Sequence, residues 1–113
     1  MKSKIVALSK NEEFKKLLSM KRSSNKYVTI FFGKLNNKNN KKLNISFVAK
    51  KKLGNAVKRN QIKRRLRAIV NDIIKKLSIN FNFSYLVIAR SSMLNNDFKD
   101  IKETVFQEFK KIK

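Results

Sequence analysis

Apolar positions along this chain follow two rhythms, one near the helical period and one alternating. Phe14, Leu17 and Leu18 recur at helical spacing behind Ser9 and Glu12, a capping-box pair, and predict a first helix over 10–20. Tyr27 to Phe32 (YVTIFF) is β-branched and aromatic and predicts a strand. Leu43 to Ala49 alternates apolar residues at Leu43, Ile45 and Phe47, which predicts a second strand with one buried face. The polar, Asn-rich stretch between them, Gly33 to Lys42, reads as a mobile hairpin connection. Asn55 is a good N-cap for a helix over 56–77, whose apolar stripe runs from Ile62 through Leu66, Ile69, Val70, Ile73 and Ile74 to Leu77. Ser84 to Ala89 (SYLVIA) reads as a buried central strand. Asn95 or Asn96 caps a last helix with Phe98, Ile101, Val105, Phe109 and Ile112 inward.

The order is α-β-β-α-β-α, with room for a short extra strand near Lys50 to Leu53. The fold class this predicts is α+β, a two-layer sandwich in which helices pack on a small mixed, mainly antiparallel sheet. Residues 1–113 are expected to form one domain, since the length supports a modest core but not two, and no repeat or linker interrupts the pattern.

Composition narrows the chemistry. Hydrophobic content of 42% with nine Phe and two Tyr predicts a folded chain despite 32% charged residues. There is no Cys and no His, so the chain has no thiolate ligand, no disulfide and no imidazole base. The seven acids are scattered and suggest no metal cage. No apolar run approaches the roughly 20 residues needed to span a bilayer, and Met1 to Leu8 is too short and mixed for a secretory signal. A cytoplasmic protein without a membrane partner is the expectation.

Charge is the informative part. The net charge is +22, and no acid occurs between Glu13 and Asp72. Between Lys50 and Arg67 the chain reads KKKLGNAVKRNQIKRRLR, with nine cations and no acid. A drift toward Lys would not place four of only six Arg (Arg59, Arg64, Arg65 and Arg67) within nine residues. Arg suits planar, multi-donor phosphate recognition, so a polyanion is the expected partner. On a helical wheel the cations from Lys58 to Arg67 surround the helix, and Arg59 and Lys63 enter the sector used for the core further along. The first two turns therefore overhang the sheet or line a basic groove beside it. Arg59, Lys63 and Arg67 repel one another at four-residue spacing, by roughly 0.2–0.5 kcal/mol per pair, and face the wrong end of the helix dipole. Bound phosphates would reverse both effects. In LGNA, Gly54 can take positive φ and Asn55 can cap, letting the backbone turn sharply against a ligand.

KKLGNAVKRNQIKRRLR resembles the signature of the bacterial ribonuclease P protein subunit family, a Lys-Lys-x-Gly-Asn-Ala-Val turn followed by a basic helix. LSKNEEFKKLL resembles that family's first helix, and YLVIARSS its strand and turn after the basic helix. The resemblance implies a non-catalytic protein subunit of the endoribonuclease that removes the 5′ leader of precursor tRNA, the chemistry being carried by an RNA with Mg²⁺. Its implied partners are that catalytic RNA and precursor tRNA, with no further protein partner required. The pattern maps onto Lys51 and Lys52 before the turn, Asn55 within it, and Arg59, Asn60, Lys63, Arg64 and Arg67 on the helix as contacts of the catalytic RNA. Gln61 stands where the family usually has a second Arg; it keeps hydrogen bonding and loses charge. The resemblance also implies a left-handed β-α-β connection, where general principle favours the right-handed one.

A cleft for the single-stranded leader is implied between the first helix and the sheet. Phe14, Tyr27 and Phe31 would supply aromatic platforms there, with Lys15 among the neighbouring cations. Leu18 stands where the family often has another aromatic. Phe31 and Phe32 point to opposite faces, so at most one of them can line the cleft. A ribosomal or other structural RNA-binding protein fits the charge and size but gives no reason for the LGNAVKRN turn. A helix-turn-helix DNA binder fits poorly with strands between the first two helices, and a protein-only nuclease fits least.

Overall fold

Alternation decides the sheet. In the computed structural model, which describes residues 5–8, 11–35, 42–77 and 79–112, the strand Val28–Gly33 (β3) buries Val28, Ile30 and Phe32 on one face and half-exposes Thr29 and Phe31 on the other. Leu43–Val48 (β4) and Ser84–Ala89 (β5) behave the same way, sending Ile45, Tyr85 and Val87 to the face that holds Val28 and Ile30. Two further strands complete the sheet, Ile5–Val6 (β1) and Lys21–Ser24 (β2). The strand order is β1-β4-β5-β3-β2. β1 and β5 each pair with β4 in parallel, whereas β3 pairs antiparallel with both β5 and β2, so the sheet is mixed, with its longest pairing, β3 with β5, antiparallel.

This order corrects one expectation. β3 and β4 are not a hairpin, because β5 lies between them and pairs with both. Most of the expected hairpin connection, residues 36–41, lies outside the described residues, as do Ser9 and Lys10 of the expected capping box.

Among the described residues, three helices cover the two faces. Asn11–Leu18 (α1) lies on one face, where Leu17 packs with Leu8 and Leu86. Ala56–Lys76 (α2) and Phe98–Lys111 (α3) lie on the other, contributing Leu66, Ile69, Ile73, Ile101 and Val105 to the larger core. α2 links the parallel neighbours β4 and β5, the β-α-β unit a parallel pair requires. Lys51–Leu53 is a 3-10 turn instead of an extra strand, and a second such turn, Ser91–Leu94, precedes α3. Asp97, not Asn95 or Asn96, stands at the N-cap of α3, and its side chain makes no cap hydrogen bond.

Two contacts lock helices to strands. Met20 Sδ occupies the space that a Cβ on Gly33 would need, so the chain after α1 packs directly on the end of β3. Glu108, 3% exposed, accepts a short hydrogen bond from Ser23 and lies 3.8 Å from Lys111 Nζ, tying α3 to the edge strand β2.

Candidate nucleic-acid interface

The turn into α2 follows from three residues. Gly54 has φ 136°, a conformation that L side chains rarely adopt, and ends the 3-10 turn with its N–H on the Lys51 carbonyl at 3.1 Å. Asn55 is extended, and its Oδ1 accepts from the Lys58 N–H at 2.9 Å, the expected N-cap. Leu53 is buried and anchors the turn, leaving Lys51 and Lys52 exposed on its outside.

α2 does not overhang the sheet. Ile62, in its second turn, is already 4% exposed, and Arg59 and Lys63 are half-buried beside it. The half-burial orphans one donor, since Arg59 Nε is buried with no acceptor among the described residues. Arg67 is exposed and holds its guanidinium 5.9 Å from the Phe47 ring, a cation–π contact that seats the head on β4. Asn60, Gln61 and Arg64 are exposed. Every expected contact residue on the helix is therefore exposed or half-exposed, and no acid occurs anywhere on α2 before Asp72.

On the opposite face, α1 covers Leu86 and part of β3 but leaves Thr29, Phe31, Val48 and Ile88 half-exposed. Phe14 is half-buried against this cluster, and Leu18 is 50% exposed at its rim, with Lys15 exposed on the same helix. These residues make an apolar floor with a helical wall. At one end the floor runs into a basin of about 240 Å³ formed by Thr29, Ile88 and Ser91 with the cations Lys50, Lys52 and Arg90. The lysines before the Gly54 turn thus stand at the mouth of the cleft as well as at the foot of α2.

Tyr27 is the correction. It is 0% exposed and belongs to the core under α2 and α3, so it offers no platform in the cleft. The cause is local. Asn25 Oδ1 accepts from the N–H of Tyr27 at 2.8 Å and of Val28 at 3.0 Å, a tight turn that breaks strand alternation before β3 begins. The Tyr27 hydroxyl donates a short hydrogen bond to Asp100 on α3, and Lys26 Nζ lies 3.5 Å from the same carboxylate. Phe31, by contrast, sits on the cleft face and Phe32 on the core face.

Three carboxylates, Asp72, Asp100 and Glu108, are engaged in holding the fold. Hydrogen bonding from Tyr27, with Lys26 nearby, lowers the Asp100 pKa, and the Asp100 carboxylate in turn raises those of Tyr27 and Lys26. Lys102 bonds Asp72 at 2.5 Å, holding α3 to α2 and lowering the Asp72 pKa. Burial pushes the Tyr85 phenol up, and its hydroxyl donates to the Asn80 carbonyl at 2.9 Å. Among the described residues no three acidic, His or Cys side chains gather where they could share a metal ion.

Four residues that local sequence pattern does not single out belong to this surface: Thr29, Val48, Ile88 and Arg90. Thr29, Val48 and Ile88 sit in strands whose composition reads as core, and alternation against Tyr85 and Val87 is the signal that places Ile88 on the other face. Arg90 follows β5, donating its N–H to the Tyr27 carbonyl at 2.8 Å and an Nη1 hydrogen to the Asn25 carbonyl at 3.0 Å.

Similar sequences and a similar architecture occur in known proteins. The family model described as Ribonuclease P matches residues 3–113. The ribonuclease P protein component of Mesoplasma florum is 37% identical over 98 residues, covering 87% of this chain and 86% of its own. That of Mycoplasma mycoides is 30% identical over the full length of both chains. Among solved structures, the RNase P protein from Thermotoga maritima superposes with a TM-score of 0.79 at 26% identity, covering 96% of this chain and 98% of its own. With the basic turn and helix, the apolar cleft and the sheet order all in place, this chain belongs to the ribonuclease P protein family.

Proposed function

We propose that the chain is the protein subunit of ribonuclease P, binding the catalytic RNA along α2 and the single-stranded 5′ leader of precursor tRNA in the cleft between α1 and the sheet. The observation that carries this reading is the acid-free stretch of α2 before Asp72, which carries the half-buried Arg59 and Lys63 and the exposed Arg64 and Arg67 directly after a turn made by Gly54 and Asn55. Phosphates draw on that field and relieve the like-charge repulsion within the helix. Gly54 brings Lys51 and Lys52 to the same edge.

The cleft suits the leader because its floor is apolar and its mouth is basic. Phe14 and Phe31 offer ring surface to unstacked bases, while Lys15, Lys50, Lys52 and Arg90 lie where a backbone would pass. With Tyr27 in the core, stacking falls to these two rings and to the aliphatic Leu18.

Membership of the family implies Mg²⁺ for leader removal by the holoenzyme. Among the described residues no three acidic side chains gather where they could share a Mg²⁺ ion, and Asp72 and Asp100 are held by Lys102, Tyr27 and Lys26 while Glu108 is buried against Ser23. The ion is therefore assigned to the RNA, and the protein's part is binding and positioning. Phe14→Ala tests the division of surfaces. It should reduce the preference for leader-bearing over mature tRNA and leave affinity for the catalytic RNA within about twofold; equal losses in both assays overturn the assignment.

A further inference from the structure

α2 has a second flank that this reading leaves unused. At 100° per residue, Arg59, Lys63 and Arg67 run down one shoulder of the buried stripe, and Lys58, Gln61 and Arg65 run down the other. The second shoulder faces the 3-10 turn Ser91–Leu94, and the two enclose a groove of about 200 Å³. Ile62 and Met93, both buried, lie at its base, and Leu94, 38% exposed, supplies most of the apolar surface among the three. One carboxamide stands on each side, Gln61 on the helix and Asn95 after the turn, and Lys58 and Arg65 supply the charge. No acid lines it. Val57, 75% exposed, sits one turn before Gln61 on the same side of the helix.

Each component matches a part of one nucleotide. Apolar surface receives the face of an unstacked base, a carboxamide presents a donor beside an acceptor, and flanking cations meet the adjoining phosphates. The volume is below the roughly 300–1,000 Å³ of pockets that enclose drug-sized ligands and suits a single planar heterocycle. A carboxamide pairs in bidentate fashion with adenine, whose edge offers the complementary donor and acceptor. An acidic peptide would satisfy Lys58 and Arg65 but leave the carboxamides and the apolar surface unused.

We propose that the groove between α2 and the Ser91–Leu94 turn binds one unpaired adenine of the catalytic RNA, with Gln61 and Asn95 reading its edge. This rests on α2 being the RNA-binding edge. It also gives Gln61 a role: an Arg there would add a phosphate contact, whereas Gln exchanges charge for base reading.

The test uses catalytic RNA transcripts in which purine riboside, lacking the exocyclic amine, replaces adenosine at scattered positions, partitioned by binding to the protein. With unmodified protein, substitution at one unpaired adenosine should impair binding. With the Gln61→Ala/Asn95→Ala double variant that position should no longer matter. The variant's affinity for unmodified RNA should fall about 5- to 150-fold, with an unchanged dependence on salt because no charge is removed. Both side chains are exposed, so the double variant keeps its core. No adenosine-specific interference, or interference that persists in the double variant, overturns the groove assignment while leaving the subunit reading intact. Failure of unmodified protein to bind unmodified RNA overturns both.

Discussion

Replacing Arg64 and Arg67 together with Ala removes two charges from α2 with little effect on its packing. Both side chains are exposed, and the substitution gives up only the cation–π seat of the Arg67 guanidinium on Phe47, worth roughly 0.5–1 kcal/mol at an exposed site. Relief of the Lys63–Arg67 repulsion returns roughly 0.2–0.5 kcal/mol, and Ala is the best helix former. The variant should therefore be about as stable as the parent, and any effect on RNA is a binding effect. If each Arg neutralises one phosphate, the slope of log affinity against log salt becomes less negative by roughly 0.7–0.9 per contact, or about 1.4–1.8 for the pair. Over a fourfold rise in salt, from about 50 to about 200 mM, the deficit relative to the parent shrinks roughly 7- to 12-fold. Filter binding of labelled catalytic RNA across that range measures it. Parallel slopes for variant and parent would show that these heads do not meet phosphates, and would refute this explanation of why α2 keeps so much charge of one sign.

Three other outcomes follow from particular contacts. Gly54→Ala places a Cβ at φ 136° and 3.0 Å from Lys58 Cδ, so it should cost roughly 1–3 kcal/mol in denaturant unfolding; an unchanged midpoint would mean the turn tolerates a side chain. Leu66→Ala empties a fully buried position on α2 and should cost roughly 2–5 kcal/mol by the same assay, a loss below about 1 kcal/mol being incompatible with the packing described. Asp72 and Asp100 have pKa values lowered in the folded state, so their contribution is present above the unfolded carboxylate value of about 3.9 and is lost as pH falls through the folded values. Melting temperature should therefore drop more steeply below about pH 4 in the parent than in Asp72→Asn/Asp100→Asn, and superimposable curves would contradict the lowered values.

Much of the fold is legible where periodicity and burial agree. The stripe Ile62, Leu66, Ile69, Val70, Ile73 lies on α2, and SYLVIA is the central β5, because each segment buries what its period predicts. β2 leaves no mark in the pattern because KRSS is polar and mostly exposed; an edge strand paired on one side needs no apolar signature. β1 is two residues long and exists through pairing with distant β4, and the insertion of β5 between β3 and β4 is equally non-local, so neither leaves a trace in local pattern.

The site divides along the same line. Asn55 as cap and Gly54 at positive φ follow from residue type, as does the placing of Phe31 and Phe32 on opposite faces. Tyr27 shares parity with Thr29 and Phe31, which points it to the cleft face, but the Asn25 turn rotates it into the core. Arg59 shows the limit of wheel geometry: its angle lies near the core sector, and only packing shows that the stem is half-buried while the helix stays on the sheet. The basin joining Lys50 and Lys52 to Thr29, Ile88 and Arg90 needs the tertiary fold, because its members come from three separate stretches of chain.

Subunit function is tested most directly by cleavage of leader-bearing precursor tRNA by the cognate catalytic RNA at low Mg²⁺, with and without this protein. The protein should raise the cleavage rate for leader-bearing substrate and tighten its binding, and Arg64→Ala/Arg67→Ala should abolish the gain. No gain in cleavage or binding at any of several salt concentrations would contradict a role as the protein subunit.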